Sequence, residues 1–259
     1  MINPESGYIA LSILMNFILF LIGISSIQSS FANPTQRKSK KGLLLVGLVL
    51  WQVYILIIGK SGILQDFSLP PRVLIFLVVP VFLFTAVFLV SNRNNAWIYN
   101  IPPHWLIFYQ TFRIAIESLF VFSVVKGILP ALVTIKGYNF DMIFACTAPI
   151  VGYYVVQKKS YYRSLALLWN YLGLGVIASI IFLFVTAIYF PQLYGGETSL
   201  FPKEFGLYPY PLVPGFLMPS AVFIHILSII QLRKGRQIYK DVTLYSLTLD
   251  APSYTFEDI

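Results

Sequence analysis

The sequence predicts an all-α polytopic membrane protein, a bundle of seven transmembrane helices with the N-terminus outside and the C-terminus in the cytoplasm. Three observations lead there. Of the 259 residues 58% are hydrophobic and only 11% charged, against about 25% charged in a soluble domain. The apolar residues fall into seven runs, each near the roughly 17–25 residues that cross hydrocarbon. The basic residues sit in alternate connectors. Arg37, Lys38, Lys40, Lys41, Arg93, Lys158, Lys159, Arg163, Arg233, Lys234, Arg236 and Lys240 lie on one side, twelve against the five of Lys60, Arg72, Lys126, Lys136 and Lys203. The positive-inside rule assigns the larger set to the cytoplasm.

The first span runs from about Tyr8 to Ile27 and the second from Gly42 to Gly59. The third covers Val73 to Val90, with Pro80 as a kink. The fourth is Trp105 to Val125, and the fifth Asn139 to Val156 with Pro149 inside it. The sixth is Leu165 to Phe190, and the seventh Leu212 to Leu232 with Pro214 and Pro219 in its first turns. Together they form one transmembrane domain over residues 1–240, followed by a cytoplasmic tail over 241–259 that reads as disordered or as one docked strand. The connector from Pro191 to Pro211 carries Gly195-Gly196 and several prolines. It reads either as an ordered, non-helical loop capping the outer mouth or as a plain surface loop. Aromatic residues gather at both expected interfaces, Trp97, Trp105, Tyr161, Tyr162 and Trp169 at the inner one and Tyr189, Tyr194, Tyr208 and Tyr210 at the outer.

The fourth span organises the rest. Arg113 and Glu117 sit near its middle, and two charges at that depth must face protein or trapped water rather than lipid tails. At about 100° per residue Gln110, Arg113 and Glu117 fall on one stripe. Arg113 and Glu117, four residues apart, can pair directly on the helix face. Asn139 is a good N-cap for the fifth span, and Asp141 in its first turn complements the positive helix end. Asp141, expected at the outer end, is also within a couple of turns of Glu117. Asn170 lies in the inner half of the sixth span and His225 inside the seventh; Asn16 and Gln52 fall near the middle of the first two. Each alone is explained by interhelical hydrogen bonding. Converging, Arg113, Glu117, Asp141, Asn139, Gln110, Asn170 and His225 form a polar core able to hold an anion on the guanidinium or to pass protons through Glu117 or His225.

Other chemistries fit poorly. His104 at the interface and His225 well inside do not face across one haem iron. No His, Cys, Asp or Glu spacing matches a zinc site, so neither a metal nor another cofactor is expected. There is no G-x-S-x-G, P-loop or dinucleotide fingerprint. The seventh span has no lysine for a retinal Schiff base. The net charge of +8 lies in short connectors, which points to anionic lipid and not to nucleic acid. The single Cys146 sits in an apolar run and reads as a small core residue.

Phe112-Arg113 with Glu117, Gly137-Tyr138-Asn139-Phe140-Asp141, Ala148-Pro149, Leu168-Trp169-Asn170 with Gly173-Leu174, and Pro214-Gly215-Phe216 with Pro219 and His225 follow one another along the chain. In that order the chain resembles an uncharacterised family of bacterial multi-pass membrane proteins, over roughly Gln110 to Leu232. The resemblance implies a bacterial inner membrane location and no catalytic residues. Three readings follow. The first is binding or translocation of a small solute, anionic or proton-linked, with lipids as the other partners. The second is a non-transporting scaffold whose Arg–Glu pair is structural. The last is an intramembrane enzyme on a lipid-like substrate, for which the sequence offers no convincing nucleophile.

Overall fold

Asn-Pro pairs open the first two helices. Asn3 Oδ1 accepts from the Glu5 amide at 3.2 Å and Asn33 Oδ1 from the Thr35 amide at 2.9 Å. Pro4 and Pro34 occupy the first turns, where a missing N–H costs nothing. The computed structural model describes residues 3–158 and 161–249, with side chains as far as Lys234. Lys159 and the tail beyond Leu249 lie outside the described residues, as do the side chains of Arg236 and Lys240.

The architecture is all-helical: α1 (Pro4–Ser30), α2 (Pro34–Lys60), α3 (Val79–Asn92), α4 (Pro103–Tyr109), α5 (Phe112–Val125), α6 (Asp141–Cys146), α7 (Ala148–Val156), α8 (Tyr162–Tyr189) and α9 (Met218–Leu249). Six segments among the described residues are long and apolar enough to cross a membrane: α1, α2, Leu74–Asn92, Pro103–Val125, α8 and Val213–Lys234. The fifth predicted span is shorter. Asp141–Val156 is an apolar helix stepped at Thr147, just before Pro149. The structure decides four details that the sequence left open or placed differently. The basic stretch Arg37–Lys41 is the first turns of α2 and not a connector, because the Asn33 cap starts the helix early. Cys146 is exposed on the outside of α6, not in the core. The chain at 241–249 continues α9 as helix, not as a docked strand. The Pro191–Pro211 connector is ordered by short 3₁₀ turns at Pro191–Tyr194 and Lys203–Gly206.

The third and seventh spans each begin with a π-helical turn, Leu74–Val78 before Pro80 and Val213–Leu217 before Pro219. A proline has no N–H for the carbonyl four residues back, so Phe76 O and Gly215 O lose their helical partner. Both are satisfied from α2: Tyr54 Oη donates to Phe76 O and Trp51 Nε1 to Gly215 O, each at 2.8 Å. The two rings stack at 5.0 Å. Trp51→Phe therefore leaves a carbonyl without its donor and lowers stability by about 1–3 kcal/mol. A detergent melting curve beside Tyr54→Phe, which removes the other donor, measures it.

The loop end of the bundle is closed by Phe201, Phe205 and Tyr210, all buried. Tyr208 N donates to Gly59 O at 3.0 Å and Leu200 N to Ala187 O at 3.1 Å, which ties the connector to α2 and α8. Gly206 is pressed against the Leu64 backbone, whose carbonyl carbon would stand 2.5 Å from a Cβ there. At the opposite end Gln231 Nε2 donates to Ile98 O at 2.8 Å and Ile101 O at 2.6 Å.

Candidate functional site

The fourth span is not one regular helix. Through Gln110 and Thr111 the amides bond three residues back, Gln110 N to Ile107 O and Thr111 N to Phe108 O, so α4 and α5 join at a tightened turn. Arg113 and Glu117 stand just beyond it on α5. From Val125 the chain does not remain at the loop end; residues 126–140 return in turns, with Ala131–Val133 against α8, until Asp141 reaches Arg113. Arg113 is the eleventh of the 23 residues of its span. Asp141 therefore lies near mid-bundle, deeper than the outer position its place in the sequence implied. Non-helical backbone at such depth is tolerated where protein surrounds it.

All seven residues singled out from the sequence are buried, between 0% and 5% exposed. Six of them form one chain of hydrogen bonds. Asn139 Nδ2 donates to Glu117 Oε1 at 2.7 Å and to Val133 O at 3.1 Å. Asn139 Oδ1 accepts from the Asp141 amide at 2.9 Å, although the N-cap position of α6 is held by Phe140, one residue later than the sequence suggests. The Asp141 carboxylate takes a fork from Arg113, Nε to Oδ2 at 3.0 Å and Nη2 to Oδ1. Arg113 Nη1 lies 3.3 Å from His225 Nε2, and His225 Nδ1 lies 2.8 Å from Asn170 Oδ1. Asn170 Nδ2 then reaches Ser228 Oγ at 3.0 Å. Gln110 stands apart, donating to Ala221 O at 3.0 Å on α9.

Donor and acceptor rules fix the imidazole. A guanidinium only donates, so Nε2 accepts and Nδ1 carries the proton that goes to Asn170. Arg113 thus pairs with Asp141, not with Glu117 as its four-residue spacing suggested. The fork geometry of a guanidinium suits a carboxylate on a neighbouring helix better than one along its own. Phe144 covers the guanidinium at 5.3 Å and stacks on Trp169 at 4.9 Å, whose Nε1 donates to Thr147 Oγ1 at 2.8 Å. Gly173 makes room for the ring, since a Cβ there would meet His225 Nε2 at 2.6 Å.

The other side of this core is open. Arg113, Glu117 and Asp141 line one end of a cavity of about 110 Å³ whose remaining walls are apolar apart from Tyr189. The walls come from α5, α8 and the two π-helical turns, and Phe205 of the connector closes the far end. Two buried polar atoms among those lining residues have no hydrogen-bond partner, Glu117 Oε2 and Tyr189 Oη. The sequence marks this tyrosine only as an interfacial anchor. No group of three or more His, Cys, Asp and Glu among the described residues has the arrangement of a metal site.

Six apolar spans around a buried charged core define a multi-pass membrane protein with a polar site between its helices. The chain belongs to the family described as Domain of unknown function (DUF8737), whose model matches residues 70–233. That range holds all seven core residues and leaves α1 and α2 outside. No curated protein and no solved structure matches the chain.

Proposed function

We propose that this protein binds and translocates a small solute in a proton-linked manner, with Glu117 as the proton-exchanging carboxylate. In this reading it lies in a bacterial cytoplasmic membrane and crosses it seven times, N-terminus outside and C-terminus in the cytoplasm. Residues 126–140 with Asp141–Val156 make the fifth crossing. One observation carries it: Glu117 Oε2 is buried, lacks a partner and borders the cavity, while every other carboxylate or imidazole of the core is engaged. An unpartnered buried polar oxygen is costly unless something binds it. An anion is less well served, because Arg113 is already forked onto Asp141 and two carboxylates face the same space. His225 can relay a proton only by giving up the bond it accepts from Arg113.

The test is proton uptake by proteoliposomes under an imposed gradient. Glu117→Gln is expected to reduce it at least tenfold with normal insertion; undiminished uptake in that variant ends the reading. The scaffold reading is favoured by the closed part of the network, Arg113 to Asn170, in which each partner is satisfied. It predicts that Glu117→Gln changes nothing but melting temperature. An enzyme has less support, since the described cavity lining has no Ser, Thr or Cys.

A further inference from the structure

The cavity has a shape as well as a charge. Along α8 it is bordered from Ile177 to Tyr189, a length of about 18 Å at 1.5 Å per residue. Its 110 Å³ hold roughly seven to eleven water-sized groups at about 10–15 Å³ each. That is the bulk of a single chain of about that many methylenes, and too little for a two-chain lipid. The walls carry Ile177, Ile181, Phe184, Val78 and Val213, so the body of an occupant must be apolar. The inner end is different. Arg113 and Asp141 pair with one another, and the Glu117 carboxyl group has no cation of its own. Its Oε2 has no hydrogen-bond partner. A group that both donates hydrogen bonds and carries positive charge answers both deficits, whereas a carboxylate head answers neither.

We propose that the cavity is a binding slot for a single-chain amphiphilic amine, its ammonium on Glu117 Oε2 and its apolar chain lying along α8 toward Tyr189 and Phe205. This deepens the proton-linked reading above and rests on it for the idea that the solute moves, but binding itself needs no gradient. At the far end the unpartnered Tyr189 hydroxyl marks where the slot meets the loop end of the bundle.

Equilibrium binding of radiolabelled decylamine to the full chain in nanodiscs tests it, with decanol and decanoate as competitors and protein-free discs as the blank. Saturable binding near one per chain is expected, with both competitors at least tenfold weaker than unlabelled decylamine. Glu117→Gln should lower affinity at least tenfold, and Ile181→Trp, which fills the slot without touching the charges, should remove binding. Equal competition by decanol or decanoate overturns the choice of head group. Binding unaffected by Ile181→Trp overturns the slot. Should amine binding fail while Glu117-dependent proton uptake persists, the ligand class falls and the transport reading stands; amine binding without proton uptake leaves the slot and sinks transport.

Discussion

Arg113→Ala is expected to cost about 3–5 kcal/mol, because it leaves the Asp141 carboxylate buried and unpaired. Asp141→Ala should cost a similar amount by stranding the guanidinium. The double replacement Arg113→Met with Asp141→Asn should recover most of that loss, since removing a buried pair together is close to neutral. Arg113→Met with Glu117→Gln should not recover it. A thermal or denaturant series on the purified single and double variants measures the difference. Equal rescue through Glu117 would mean that the charge partner has been misassigned. The His225 contact adds a further expectation: without Arg113 the imidazole loses the donor to Nε2, so Arg113→Ala and His225→Ala should be non-additive.

Gly173→Ala should damage the same core. Its new methyl would press on an imidazole that has little freedom to withdraw, held by Arg113 on one nitrogen and Asn170 on the other. Overpacking of that kind costs about 1–3 kcal/mol. The same substitution at Gly175, two residues along α8, meets nothing within 4 Å and should be silent or slightly stabilising. Combining Gly173→Ala with His225→Ala should relieve much of the strain, which separates a clash with the ring from a general loss of helix packing. Melting temperatures of the four proteins are sufficient to decide.

Much of this was legible in the sequence, and what was missed has identifiable causes. The apolar runs marked the six long spans because lipid demands about 20 apolar residues whatever the fold. The buried polar residues stood out for the same reason: a charge inside such a run has to be sheltered by protein. Their partners were not legible. Arg113 and Glu117 are neighbours on one helix, so local spacing favoured them, whereas Asp141 is 28 residues away and reaches Arg113 only because residues 126–140 fold back into the bundle. Lys126, Pro130, Lys136 and Gly137 look like any surface connector. Cys146 was placed inward by the apolarity of its run, but in a membrane protein apolar residues face outward as readily as inward. Pro80 and Pro219 were visible as irregularities, yet nothing local shows that their freed carbonyls are answered by Trp51 and Tyr54.

That arrangement ties two distant stretches of chain to a single rod. The carbonyls of Phe76 and Gly215 take their donors from side chains three residues apart on α2, and the turns that bear them form part of the cavity wall. Most of the hydrophobic surface of α2 faces away from the bundle. Sliding that rod by one residue would unlatch both turns at once, so a single helix on the rim holds two walls of the slot.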